Sequence, residues 1–196
     1  MKWLRAIVRR RMYAPRYWGY GVRYLWFRLR NPHVVTRGMV FLSRGARVEC
    51  RRGLGHLELG RWVWIGRGTA IRCHEGFLRV GDKVVFGAWD VVNCYLDVEI
   101  GDETIVADGV YVADFDHRFD DPERPIRVQG IVKSPVRIGA GSWIGEKASV
   151  LRGTRIGPGS VVGAQTVARG RYPDLAVIVG NPGRVAKLRG REPPER

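Results

Sequence analysis

A small apolar residue returns at every sixth position in the C-terminal half of this chain. The repeats begin at Ile138, Ile144, Val150, Ile156 and Val162. A six-residue unit is too short for a helix pair or a propeller blade, so each repeat predicts one short strand and one bend. Stacked units of this kind form a parallel solenoid in which the recurring aliphatic side chain points inward.

The same spacing extends upstream and shows where loops leave the solenoid. Its earlier positions are Leu59, Ile65, Ile71, Val80, Phe86, Val92, Ile100, Val106 and Val112. Short insertions lengthen the spacing after Ile71 and after Val92, whereas between Val112 and Ile138 the period is lost. Loops on a rigid scaffold are a frequent location of functional residues. Residues 113–137 are therefore predicted to form an active-site loop.

The unbroken register favours one solenoid domain over residues 53–190, preceded by an extension over residues 1–52 and followed by a disordered tail at residues 191–196. The extension is strongly basic, since it holds fourteen of the 34 Lys and Arg residues and Glu49 as its single acid. Trp3, Leu4, Ile7 and Val8 lie at helical spacing among these bases, which predicts a helical segment.

Two interpretations of the extension stay open. It either caps the open end of the solenoid or contacts an anionic membrane surface through residues 1–30. Nucleic-acid binding is disfavoured, because no helix-turn-helix, RRM or zinc-finger pattern accompanies the bases. No apolar run reaches the roughly 20 residues that span a bilayer, and arginines interrupt any signal-peptide pattern. We therefore expect a cytoplasmic protein, with peripheral contact to the inner membrane face as an option.

The cysteines and histidines do not predict a metal site. Cys50, Cys73 and Cys94 are odd in number and form no CxxC pair, so we expect reduced thiols in the core. The four histidines include no close pair of the kind that supplies a zinc ligand set.

Short motifs in the interrupted segment and the last repeats are more specific. They are His117, Asp121-Pro122, Pro135-Val136, Trp143-Ile144-Gly145 and Gly180-Asn181-Pro182-Gly183-Arg184. In this order, over residues 55–188, they resemble the hexapeptide-repeat acyltransferases, most closely the maltose and galactoside O-acetyltransferase branch and its polysaccharide O-acetyltransferase relatives. The resemblance implies an all-β solenoid, a left-handed parallel β-helix that forms a homotrimer. It also implies transfer of an acetyl or short acyl group from acetyl-CoA to a sugar or glycan hydroxyl, without a metal.

His117 is the candidate general base. Acyl transfer from a thioester to a hydroxyl needs a group that takes the hydroxyl proton as the oxygen attacks, and imidazole titrates near neutral pH. Asp114 and Asp116 lie beside it, and either could hold the imidazole tautomer. Asn93 resembles a family asparagine that contacts the acceptor. An ordinary loop histidine is the alternative interpretation.

The resemblance also implies a groove for coenzyme A. Trp143 resembles the tryptophan that lines the pantetheine channel, and Ala164 matches a small residue that lets the coenzyme lie close to the coil. The backbone amides of Gly145 and Glu146 are the expected oxyanion donors.

Cations should end this groove, because coenzyme A carries a pyrophosphate and a 3′-phosphate. Arg184 and Lys187 resemble the family's phosphate contacts. Arg169 and Arg171 would extend the basic edge. In the expected trimer, His117 of one chain faces Trp143 of the next.

Two other functions stay open. The first is transfer to an amine, as in amino-sugar N-acyltransferases that share the fold, because a protonated amine also needs a base. The second is a non-catalytic scaffold that binds membrane or nucleic acid through residues 1–52. The sequence does not predict the acceptor, its regiochemistry or the length of the acyl chain.

Overall fold

The period of six closes into a parallel β-helix. The computed structural model describes residues 15–190, which comprise one α-helix followed by stacked coils of short strands. The first six coils each contribute one strand to each of three sheets, and the last strands of the chain complete two of these sheets, which gives seven, eight and six strands. We call these sheets faces A, B and C in the order in which a coil visits them, and the bend from face C to the next coil the C–A corner.

The helix and the first four coils follow one another directly along the chain. They are α1 (Pro15–Arg30); β1 (Val35–Thr36), β2 (Val40–Leu42) and β3 (Arg47–Cys50); β4 (Gly55–Leu59), β5 (Val63–Ile65) and β6 (Ala70–Cys73); β7 (Gly76–Val80), β8 (Val85–Phe86) and β9 (Val91–Cys94); β10 (Asp97–Ile100), β11 (Ile105–Val106) and β12 (Tyr111–Ala113).

An antiparallel hairpin then leaves the stack before the remaining coils complete it. The hairpin is β13 (Phe115–His117) and β14 (Ile131–Lys133), with a 3₁₀ turn at Ile126–Val128 between its strands. The later strands are β15 (Val136–Ile138), β16 (Trp143–Ile144) and β17 (Ser149–Val150); β18 (Arg155–Ile156), β19 (Val161–Val162) and β20 (Val167–Ala168); β21 (Arg171–Tyr172) and β22 (Ala176–Val179); and β23 (Arg184–Leu188), which pairs antiparallel with β22.

Columns of aliphatic side chains fill the interior. On face B the in-register column is Leu42, Ile65, Phe86, Val106, Ile144, Val162 and Ile178. All of these residues are buried, as is every period-six position predicted from the sequence. Each fully buried aliphatic contributes roughly 1.5–3 kcal/mol, so the columns are the main source of stability. The predicted solenoid is confirmed.

The first coil lies inside the segment predicted as an extension. β1, β2 and β3 pair in parallel with β4, β5 and β6, so the stack begins at residue 35 and the predicted boundary at residue 52 is corrected. Thr36, Leu42 and Val48 continue the period of six. A polar residue at the first of these positions and a longer insertion before Leu59 hide the pattern. The predicted helix around Trp3, Leu4, Ile7 and Val8 and the tail 191–196 lie outside the described residues.

α1 packs one of its sides against this first coil. Phe27 is buried in the core cluster, and the Tyr24 hydroxyl donates to the Gly38 carbonyl at 2.8 Å. The Tyr20 ring lies 4.9 Å from the Trp64 ring. Within the described range, no helix has the length and apolar character needed to cross a bilayer.

The three cysteines stack on one another at the end of face C. Cys50 pairs in register with Cys73, and Cys73 with Cys94. All three are free and the last two are buried, which confirms the predicted core thiols. Burial raises the pKa of Cys50 to about 11, so its thiol stays protonated at neutral pH.

Asp90 is a buried acid in the interior, and only one of its two carboxyl oxygens has a hydrogen-bond partner among the described residues. It is fully buried, and Oδ1 accepts the Val110 N–H at 2.8 Å. Oδ2 has no hydrogen-bond partner in the described part of the chain. Burial raises the pKa of Asp90 to about 7, because the charged form is poorly solvated there.

We predict that Asp90→Asn flattens the pH dependence of stability. The folded-state pKa lies above the unfolded one, so the contribution of Asp90 is complete at acid pH and is lost as pH rises through about 7. In the wild type, the unfolding free energy should fall between about pH 5 and about pH 8 by on the order of 2–4 kcal/mol more than in the variant. Urea denaturation over this range measures it. Asp174→Asn, at an exposed corner, is the control, and identical profiles for wild type and Asp90→Asn would contradict the prediction.

Candidate functional site

Residues 113–137, over which the period of six is lost, form a hairpin at the C–A corner of the fourth coil. In it, His117 lies opposite Ile131 and Phe115 opposite Lys133. The chain rejoins the stack at Ser134, whose N–H donates to the Asp114 carbonyl at 2.8 Å. The predicted active-site loop is therefore an ordered projection from the fourth coil.

Two ion pairs hold the hairpin from opposite directions along the stack. Asp116 binds Arg152 of the fifth coil's C–A corner at 2.5 Å, and Lys133 binds Glu75 of the second coil's C–A corner at 2.7 Å. Both pairs are partly buried, so solvent screens them less than it screens exposed pairs. They fix the backbone that carries His117 relative to the coils on each side.

Neither neighbouring carboxylate orients His117, contrary to expectation. Asp114 is fully buried, and its two oxygens accept the N–H groups of Tyr95, Leu96 and Asp97 at 2.7–2.8 Å. It therefore closes the corner of the coil below. Asp116 is bound to Arg152. The His117 imidazole is exposed and makes no hydrogen bond to any residue in the 15–190 range.

A column of rings leads up to His117, and the sequence reasoning missed it. His74 stacks on Tyr95 with centroids 4.5 Å apart, and Tyr95 contacts Phe115, also at 4.5 Å. Phe115 meets the His117 ring edge-on at 6.2 Å. His74, Tyr95 and Phe115 recur at the spacing of one coil, which is the signal that could have revealed them. The column places an aromatic ring beside His117, perpendicular to the imidazole.

Asn93 lies one coil below the start of the hairpin. It is partly buried on β9, in register with Arg72 beneath it and Ala113 above it. No hydrogen bond joins it to His117 in the described chain. Among residues 15–190, no group of three His, Cys, Asp or Glu side chains is arranged to hold a metal ion.

The expected coenzyme-channel residues lie together on another part of the molecule. Trp143 is 52% exposed on face B, with Gly145 and Glu146 at the corner that follows and Ala164 exposed on the adjacent coil. A Cβ at Gly145 would stand 2.6 Å from the Ala164 nitrogen. Glycine is required at this position because the two coils approach so closely.

The expected role of the Gly145 amide needs correction. Its N–H donates to the Val162 carbonyl at 2.8 Å as part of the coil stacking, so it is not available as an oxyanion donor. The Glu146 N–H has no acceptor within the described residues, and the Glu146 side chain pairs with Lys147 at 3.2 Å. One of the two predicted donors therefore remains.

The predicted cations divide into two groups. Arg184 and Lys187 are exposed on β23, opposite Val179 and Val177, at the end of face B. Arg169 lies at the C–A corner of the sixth coil, and Arg171 on face A. No contact joins either group, or Trp143, to His117 in the described part of a single chain.

Comparisons with known proteins agree with the fold and the repeat. A family model described as the hexapeptide repeat of succinyl-transferase matches residues 135–167. The chain is 53% identical over 193 residues to the probable acetyltransferase Rv3034c of Mycobacterium tuberculosis, across 96% of this chain and 62% of that protein. It thus spans less than two thirds of that relative's length.

A second relative is matched over most of its length. The putative lipopolysaccharide biosynthesis O-acetyl transferase WbbJ of Escherichia coli is 31% identical over 169 residues, across 82% of this chain and 86% of that protein. Among solved structures, a variant of AntD, an N-acyltransferase from Bacillus cereus in complex with dTDP and coenzyme A, superimposes with a TM-score of 0.69. The superposition covers 82% of this chain and 88% of that chain at 20% identity, so the likeness concerns the fold.

We predict that Arg152→Ala loosens the hairpin and leaves the coils intact. Loss of a partly buried ion pair removes about 1 kcal/mol of local stability, which corresponds to roughly fivefold faster amide exchange. Hydrogen–deuterium exchange should show this increase at residues 115–118 and 131–133. Lys147→Ala breaks an exposed pair elsewhere and is the control. An unchanged exchange rate in the hairpin would mean that the Asp116–Arg152 pair does not hold it.

Proposed function

Because this chain belongs to the hexapeptide-repeat acetyltransferase family, we propose that it transfers an acetyl or other short acyl group from coenzyme A to a hydroxyl of a sugar or glycan. One observation carries the proposal: the projecting hairpin holds an exposed, unpaired imidazole between two ion-pair anchors. The named O-acetyl transferase activity of the Escherichia coli relative favours a hydroxyl acceptor.

In the proposed reaction His117 acts as the base. An acceptor hydroxyl donates its hydrogen to the imidazole, and the oxygen attacks the thioester carbonyl as His117 takes the proton. The Glu146 N–H donates to the carbonyl oxygen as negative charge develops there. His117 then returns the proton to the departing sulfur, which leaves the acylated acceptor and a free thiol. The coenzyme supplies the activated acyl group as a thioester.

The residues on face B fit such a donor. Trp143 offers an exposed ring for the pantetheine arm, and the small side chain of Ala164 leaves space on the adjacent coil. Arg184 and Lys187 lie at the end of the same face, where their charges can contact phosphates. Arg169 and Arg171 lie on other sides of the coil, so in this proposal they contact the coenzyme only if it is bound by a neighbouring chain.

We also propose that the protein is a homotrimer with the site between chains. His117 and Trp143 lie on separate parts of one chain, so a complete site requires a second copy. Face B carries an outward column of apolar residues that suits such contact. In register, it runs through Val85, Ile105, Trp143, Val161 and Val177. Val85 and Ile105 are 40% and 52% exposed, and self-association would bury them.

We predict that His117→Ala abolishes acyl transfer while folding and coenzyme binding persist. Removal of a general base lowers the rate by roughly 10² to 10⁴. Product formation from acetyl-CoA with a panel of sugar acceptors, followed by mass spectrometry, measures the loss. His56→Ala, which removes an exposed histidine of face A, should retain wild-type turnover. Near-normal turnover in His117→Ala would refute the role of His117.

The same panel addresses the alternative functions. Amino-sugar acceptors test transfer to an amine, and turnover with any acceptor excludes a purely non-catalytic scaffold. The cytoplasmic location stays a prediction from the sequence.

A shared site predicts complementation between two inactive variants. In a mixed trimer of His117→Ala and Trp143→Ala chains, one of the three interfaces joins an intact His117 to an intact Trp143, so about a third of wild-type activity should return. Co-expression with two affinity tags isolates the mixed assembly. Trimers of either variant alone, prepared in parallel, should stay inactive. Mixed trimers without activity would place both residues in the same subunit's site.

A further inference from the structure

α1 has a second face that the solenoid does not cover. While Tyr20, Tyr24 and Phe27 pack toward the first coil, five large apolar side chains project on another side of the helix. They are Trp18, Val22, Leu25, Trp26 and Leu29, and they are 56–70% exposed. Their spacing of three and four residues places them on one continuous stripe. We call this set the α1 stripe.

The charged residues of α1 are all basic. The helix contains Arg16, Arg23, Arg28 and Arg30 and no acid, and the chain has no acidic residue before Glu49. The Arg30 guanidinium lies 4.2 Å from the centre of the Trp26 ring. Arg52 of the first coil donates to the Arg30 carbonyl at 3.5 Å, which adds a further base at the end of the helix.

We propose that α1 docks the protein on an anionic lipid surface, with the α1 stripe inserted at the headgroup level. Apolar and tryptophan side chains on one helix face, flanked by arginines, have the chemistry of an interfacial helix. Arg30 would pair with lipid phosphates, whereas Arg23 and Arg28 donate to the Leu42 carbonyl and the Thr36 hydroxyl of the first coil. This inference goes beyond acyl transfer and does not depend on it.

Charge favours lipid over a second copy of the chain as the occupant. A symmetric pairing of two stripes would bring the arginines of one helix against those of the other, and α1 has no acid to compensate them. Like charges brought close together in this way repel each other. An anionic bilayer instead supplies the missing negative charge while it covers the apolar side chains.

Vesicle binding of the whole 196-residue chain tests the proposal. We expect co-sedimentation with phosphatidylcholine vesicles that contain phosphatidylglycerol, weak binding to phosphatidylcholine alone, and loss of binding as salt is raised. A triple variant, Trp18→Gln, Leu25→Gln and Leu29→Gln, should bind the anionic vesicles about tenfold or more weakly. Gln keeps good helix propensity, and these side chains are mostly in solvent, so the melting temperature should not change.

A matched triple variant controls for the loss of apolar surface in general. Leu54→Gln, Phe77→Gln and Leu175→Gln remove three exposed apolar side chains far from α1 in sequence, and this protein should bind the vesicles like wild type. Equal binding of the α1 variant and wild type would overturn the proposal, as would equal binding to neutral and anionic vesicles. Analytical ultracentrifugation without lipid tests whether a second copy of the chain covers the α1 stripe instead. A smaller assembly for the α1 variant alone would assign the stripe to a contact between chains.

Discussion

In-register stacking of one inward aliphatic on the next is the constraint on which the rest of this structure depends. Each coil presents its side chain directly above that of the coil below, and the backbone hydrogen bonds between coils follow from this alignment. The same alignment carries the outer surface. It arranges the apolar column of face B and the rings that lead to His117, because every outward position is also repeated once per coil.

The functional elements are departures from this regularity that the regular part holds in place. The hairpin leaves the stack at a single corner, yet its anchors come from the second and fifth coils. The buried carboxylate of Asp114, which sequence proximity suggests as a partner of the imidazole, instead fixes the corner beneath the hairpin. His117 thus owes its position to ion pairs and packing rather than to a carboxylate bonded to the ring.

The repeat was predictable from sequence because the period of six is a local pattern of residue type. The first coil was missed because a polar residue, Thr36, stands at its first period-six position, in register with Leu59. The anchors Arg152 and Glu75 were missed for a different reason, since partners distant in sequence leave no periodic signal. Likewise, the Gly145 N–H is unavailable to a ligand because it donates to the Val162 carbonyl of the next coil. The residue type at position 145 does not reveal this hydrogen bond.

The two anchors also set an order in which the hairpin can become rigid. Glu75 precedes Lys133 by 58 positions, and Arg152 follows Asp116 by 36. On a growing chain, the Lys133–Glu75 pair can form once the hairpin has been synthesised, because the coils that carry Glu75 can already be stacked. The Asp116–Arg152 pair can form only after the fifth coil has been synthesised. His117 is therefore held from both sides only after the chain has been extended to Arg152, 35 residues beyond it.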